Sequence, residues 1–138
     1  IPLRSTPQRK ALCWLADIDP LQLGESNPPR LLQRYTLAVL VLSLWMGREL
    51  HFLLDGSDEC TWEGISCTNN LVSRIAWPEF GLEGSLPSEI GNLHGLEDLV
   101  IDRNELVGSL PSELWSLSRL GRMSWFVQLL GGMSENAC

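Results

Sequence analysis

Cys60 and Cys67, with six residues between them, are the most chemically capable pair in the sequence. A metal site would need four Cys, His or carboxylate ligands at recurring short spacings. His51 and His94 stand isolated, and no second cysteine pair lies near Cys60. A redox-active dithiol usually reads Cys-x-x-Cys, which is absent. Asp98 and Asp102 can share one face of an alternating segment and hold a proton or a cation. Arg103 beside them points instead to a solvated charge network. No Gly-x-Ser-x-Gly elbow, phosphate-binding glycine loop, His-Glu-x-x-His motif or kinase signature occurs. We therefore expect no enzyme, no bound metal and no cofactor. Cys13 is expected to pack as a small apolar side chain in a first helix.

The elements that position these residues come from a repeat. The run from Leu82 to Leu96, with Gly84, Leu86, Pro87, Ile90 and Leu93, reappears 24 residues on as Leu106 to Leu120, with Gly108, Leu110, Pro111, Leu114 and Leu117. Between them, Leu96, Leu99, Ile101, Asn104 and Leu106 fit the leucine-rich repeat consensus of alternating leucines followed by asparagine. The expected fold is an α/β solenoid, a right-handed superhelix with short parallel strands on its concave face near 74–77, 98–101 and 122–125. Leu82, Leu86, Leu93, Leu96, Leu99, Ile101, Leu106, Leu110, Leu114 and Leu117 should fill its core. The Asn104 amide should bond backbone groups of the turn and of the next coil. Gly108 permits a tight bend and Pro111 fixes the backbone where the chain turns back.

The period extends weakly both ways. A first coil, with Val72, Ile75, Trp77 and Leu82 in register, begins near Asn70 and carries Phe80 in the asparagine's place, as suits a coil lying against a cap. A third coil has Leu120, Met123, Trp125, Gln128, Leu130 and Gly132 in register, but Ser134-Glu135 stands where Leu-Pro is due. This gives a cap over 1–67 and repeats over 68–138, divided as 68–92, 93–116 and a degenerate 117–138. The array is expected to be incomplete at its C-terminal end and to self-associate there, because an open strand edge and uncovered apolar residues invite other chains.

A solenoid cannot begin abruptly, since its first coil would expose leucines. Thr6-Pro7 reads as a helix start, with Leu12, Leu15 and Ala16 sharing one face. Asn27-Pro28 starts a second helix carrying Leu31, Tyr35, Ala38, Leu42 and Trp45, closed by Gly47, and a helical turn over Glu49–Leu54 follows. The apolar run Thr36–Met46 is eleven residues, too short to span a bilayer.

The segment Cys60-Thr-Trp62-Glu-Gly64-Ile-Ser-Cys67, followed directly by the coils, resembles the N-terminal cap of plant-type extracellular leucine-rich repeat proteins. Those include receptor-like kinases, receptor-like proteins and polygalacturonase-inhibiting proteins, and similar capped arrays occur in algae. The Gly-x-Leu-Pro of Gly84–Pro87 and Gly108–Pro111 is similar to their repeat subtype. The resemblance covers about residues 28–120. It implies a disulfide between Cys60 and Cys67, an extracellular or cell-surface location, and a protein- or peptide-binding role. It also allows two alternatives, a structural cap and stalk without ligand contacts, and a secreted enzyme inhibitor.

Alternation places Arg74, Ala76, Pro78 and Glu79, then Asp98, Val100, Asp102 and Arg103, then Arg122, Ser124, Phe126 and Val127 on the concave surface. The net charge is −7, with six basic and four acidic side chains in residues 1–54 and four against thirteen in 55–138. That balance argues against nucleic acid and against anionic membrane surfaces, and it favours a basic partner.

Overall fold

The computed structural model describes residues 6–18, 28–45 and 57–125. The first helix, α1 (Pro7–Cys13), starts as its sequence dictates. The Thr6 hydroxyl accepts the Arg9 N–H at 3.1 Å, and Pro7 takes the position where a missing N–H is harmless. A wider turn over Trp14–Ile18 continues it. The buried face is Ala11 and Trp14, and this corrects the sequence reading. Leu12 is 51% exposed, Ala16 is exposed and Leu15 is half-buried. The large Trp14 ring sets the helix rotation by turning into the cap interior, which carries its neighbours outward. Cys13 is exposed for the same reason, where it was expected to pack inside.

Helix α2 (Pro28–Leu44) begins at the proline marked by the sequence. Of its expected inner face, Ala38 and Trp45 are buried, whereas Leu31, Tyr35 and Leu42 sit half-buried at the margin. From Thr36 to Val41 every residue is buried. A helix stretch buried all round is one packed on several sides, and α2 meets α1, the first coil's sheet strand and that coil's back turn. Asn92 Nδ2 donates to Thr36 Oγ1 at 3.1 Å, and Gln8 Nε2 to Glu89 Oε1 at 3.3 Å, tying both helices to the coil. Asn27, Gly47 and the turn expected over 49–54 lie outside the described residues.

A β-hairpin joins cap to repeats. Strands β1 (Ile65–Thr68) and β2 (Leu71–Ala76) pair antiparallel around Asn69-Asn70. Both asparagines have positive φ, 54° and 65°, as a two-residue hairpin turn of matching twist requires. The hairpin was not read from the sequence, which led us to expect parallel strands alone. Those follow: β4 (Asp98–Val100) and β6 (Arg122–Ser124) extend the sheet in the order β1-β2-β4-β6. The parallel register pairs Arg74 with Asp98 and Asp98 with Arg122, so the 24-residue period of the sequence is the spacing between sheet partners. A second, two-stranded parallel sheet of β3 (Glu83–Gly84) and β5 (Glu105–Leu106) lines another side, and short 3-10 turns at Ser88–Asn92 and Ser112–Ser116 close the back of each coil.

Nine of the ten expected core leucine and isoleucine positions are buried, and Leu110 is half-buried. Leu110 is the counterpart of the buried Leu86, with the coil position beyond it past the last described residue. Met123 and Trp125 pack against the core. Asn104 is buried and its amide satisfies four backbone groups. Its Oδ1 accepts the Leu82 N–H at 3.0 Å, and its Nδ2 donates to Trp77 O, Ile101 O and Asp102 O. The turn contacts are as expected, but the neighbouring coil it bonds is the preceding one. Gly108, at φ 79°, makes the expected bend. In the asparagine's place on coil one, Phe80 stacks edge-on against Trp45 of α2 at 6.1 Å, and Trp45 meets Trp77 at 4.8 Å.

Candidate binding face and the latch behind it

The outward face of the sheet is built by alternation. Ile75 and Leu99 point to the core, so Arg74, Ala76, Asp98, Val100, Arg122 and Ser124 point away from it. Register then stacks like positions into rows. Arg74, Asp98 and Arg122 form one row, and Ala76, Val100 and Ser124 a narrower, less polar one beside it. Arg122 Nε stands 3.7 Å from Asp98 Oδ1. Past the strands, Arg103 hydrogen-bonds the Glu79 carboxylate and its Nε lies 3.5 Å from Asp102. That pairing raises the Arg103 guanidinium further, through the Glu79 hydrogen bond first and the Glu79 and Asp102 charges next. Both Glu79 and Arg103 adopt positive φ, 54° and 58°, an uncommon conformation for side chains of their size, at equivalent points of successive coils. Pro78 is half-buried beside them. The structure thus brings together all the expected surface residues except Phe126 and Val127, which lie outside the described residues.

Asp98 and Asp102 form no carboxylate pair. Each faces an arginine, the charge network expected from Arg103. The face carries three arginines and three carboxylates, whereas the chain's acidic excess lies elsewhere, including Glu83 and Glu105 side by side in the second sheet and Glu89 and Glu113 on the back turns.

Behind this face the cap is closed by a buried ionic cluster that sequence reading missed. Cys60 and Cys67 are disulfide-bonded, with a Cα–Cα separation of 5.5 Å. Glu59, next to Cys60, is fully buried and accepts from Arg30, Gln33 and Arg34 at 2.9–3.2 Å. Arg34, also 0% exposed, donates to Ser57 O at 2.9 Å, and its guanidinium lies 5.2 Å and 5.4 Å from the rings of Trp14 and Trp62. A cation over two aromatic faces is stabilised by their quadrupoles, more so when desolvated. The Trp14 and Trp62 indole N–H groups are buried with no hydrogen-bond partner, and the guanidinium, itself only a donor, cannot supply one. Burial pushes the Glu59 carboxyl up, but hydrogen bonds from Arg30, Gln33, its own backbone and Arg34 outweigh it and hold it below the usual glutamate range. Asp58, Glu59 and Cys60 bring three potential metal donors within 4.8 Å. They do not suit a metal: the Cys60 sulfur is in the disulfide, and both carboxylates are engaged by arginine. The only sequence sign of this cluster was two cations and an amide at Arg30, Gln33 and Arg34, on a helix side that looks like a solvated one.

Gly64 completes the loop. Its φ is 82°, and a Cβ there would meet Ala76 O at 2.4 Å and the Trp77 ring at 2.5 Å. Trp77 Nε1 in turn donates to Glu63 O at 2.8 Å, pinning the disulfide loop to the first coil.

No protein-family model matches the chain. Among curated proteins it is similar to a probable inactive receptor kinase of Arabidopsis thaliana, 36% identical over 75 residues, or 54% of this chain and 12% of that protein. It is also similar to Receptor-like protein 3 of the same plant, 40% identical over 58 residues, or 40% of this chain and 8% of that protein. The chain therefore spans about a tenth of the length of these relatives. Among solved structures it shares its fold with the leucine-rich repeat ectodomain of the receptor kinase SOBIR1 from Arabidopsis thaliana. The TM-score is 0.54 at 21% identity, covering 67% of this chain and 52% of that one. With a disulfide-closed cap, coils stacked at 24-residue spacing and relatives of this kind, the chain has a leucine-rich repeat fold and resembles the ectodomains of plant receptor-like proteins.

Proposed function

We propose that this chain is a non-enzymatic, receptor-type module at the cell surface that binds a protein or peptide on the outward face of its sheet. One observation carries the reading: three strands from three coils present aligned, accessible rows with a less polar strip at their centre. Peptide recognition on such a face needs this combination, since the strip offers contact area and the flanking charges orient the partner. The relatives' names and the disulfide support an extracellular setting. No helix among the described residues is long and apolar enough to cross a membrane.

The charge balance of the face refines the expected partner. Three arginines alternate with three carboxylates, so the preferred peptide is one of mixed charge, and the basic partner suggested by net charge belongs to the acidic flanks instead. The test is selection of a phage-displayed random peptide library on the immobilised chain. Enriched peptides are expected to lose binding to Val100→Arg and to keep it on Glu113→Lys, on the back turn. Peptides that bind both variants equally would contradict this site, and failure to enrich any peptide would favour the cap-and-stalk reading.

A further inference from the structure

Gln33 reaches from α2 to the residue before Cys60 and to the hairpin strand that pairs with Cys67. Its Nε2 donates at 2.9 Å to Glu59, the residue directly before Cys60, and at 3.1 Å to Asn70 O. Its Oε1 accepts the Val72 N–H at 2.8 Å, and Val72 is the strand partner of Cys67. One buried side chain thus ties the carboxylate of the residue before Cys60 to the backbone opposite Cys67. Other holds act on the Cys60 arm: Asp58 accepts the Cys60 N–H at 2.9 Å, and Arg34 bonds both Ser57 O and Glu59. None of these contacts uses a sulfur atom, so reduction of the disulfide removes none of them directly.

We propose that Gln33 is the positioning residue of the Cys60–Cys67 disulfide, holding the reduced thiols within bonding range and so making the cap resistant to reduction. The exchange with glutathione defines the effect. A glutathione thiolate attacks one cysteine sulfur, the other cysteine leaves as thiolate, and a mixed disulfide forms. A second glutathione thiolate attacks the glutathione sulfur of that mixed disulfide, so glutathione disulfide departs. Two electrons have then passed to the cysteine pair, which takes up two protons. In the reverse direction ring closure is intramolecular, and its strength is the effective concentration of one cysteine at the other. A strut that keeps the arms together raises that concentration. By linkage, the closed disulfide strengthens the strut equally.

The full chain is equilibrated with reduced and oxidised glutathione, trapped with iodoacetamide, and read by mass spectrometry at the Cys60 and Cys67 peptides. Gln33→Met keeps the side-chain length and removes both polar ends. It should lower the equilibrium constant for disulfide formation about tenfold, equivalent to about 30 mV. Glu113→Gln, on the back turn of the second coil, should leave it unchanged. Near-ultraviolet circular dichroism of the tryptophans establishes that each variant is folded in both redox states. A merely structural Gln33 would lower the melting temperature without moving this constant. A folded Gln33→Met within twofold of the parent would overturn the proposal. The parent alone provides a second arm that needs no variant. After reduction the Val72 N–H, held by Gln33, should keep its slow hydrogen exchange, and loss of that protection would overturn the proposal as well.

Discussion

Glu59 shows how much one residue can decide in a small cap. It is buried among two arginines and a glutamine, and removing it strands Arg34 with a buried charge. Glu59→Ala should therefore destabilise the chain by ~3–5 kcal/mol, read as a shift in the urea midpoint. Replacing Arg34 and Glu59 together by apolar residues of similar volume should cost far less, because a buried pair repays its own desolvation poorly. The pH response follows from the same contacts. The folded carboxyl is held below its unfolded value, so its stabilisation is complete above the ordinary glutamate pKa of about 4.3 and is lost as pH falls through the lower folded value. Urea titrations between pH 7 and pH 3 should show that loss, and Glu59→Gln should remove this component of it. None of this was legible in the sequence. The partners lie 25 to 29 residues apart, and Arg30, Gln33 and Arg34 occupy a helix side that sequence alone assigns to solvent.

At the scale of elements, the coil is the unit that repeats, and its strand carries the core. Leu99 is 1% exposed in the central strand β4, between strands on both sides. Leu99→Ala should cost ~2–5 kcal/mol, measured by thermal or urea unfolding. Asn104→Leu should also destabilise, since the Leu82 N–H and the Trp77 and Ile101 carbonyls lose a partner, at ~1–3 kcal/mol for each buried group left unsatisfied. These strands were legible because a repeated spacing registers one coil on the next, and alternation then names the inward residues. The same alternation names the outward residues of the candidate face, Arg74, Asp98 and Arg122 among them. The hairpin was missed because β1 occurs once and does not share the period. Its sign was Asn69-Asn70, a dipeptide able to adopt two successive positive φ values. The face of α1 was misassigned because Leu12 and Leu15 outweighed Trp14 in a helix too short to show its period.

At the scale of the whole molecule, cap and coils act as one support for the sheet face. The disulfide loop, Gln33 and the Trp45–Trp77–Phe80 stack hold β2 in place, and β4 and β6 follow from it by register. The claim that this face receives the partner is tested most directly by carboxylate footprinting. The chain is labelled with a carbodiimide and an amine, free and with a library-selected peptide bound, and each carboxylate is quantified by mass spectrometry. Glu79, Asp98 and Asp102 lie on the face, whereas Glu83, Glu105 and Glu113 lie off it. Binding should reduce labelling of the first three several-fold and leave the second three unchanged. Protection of Glu83, Glu105 or Glu113 with Asp98 still freely labelled would contradict the account.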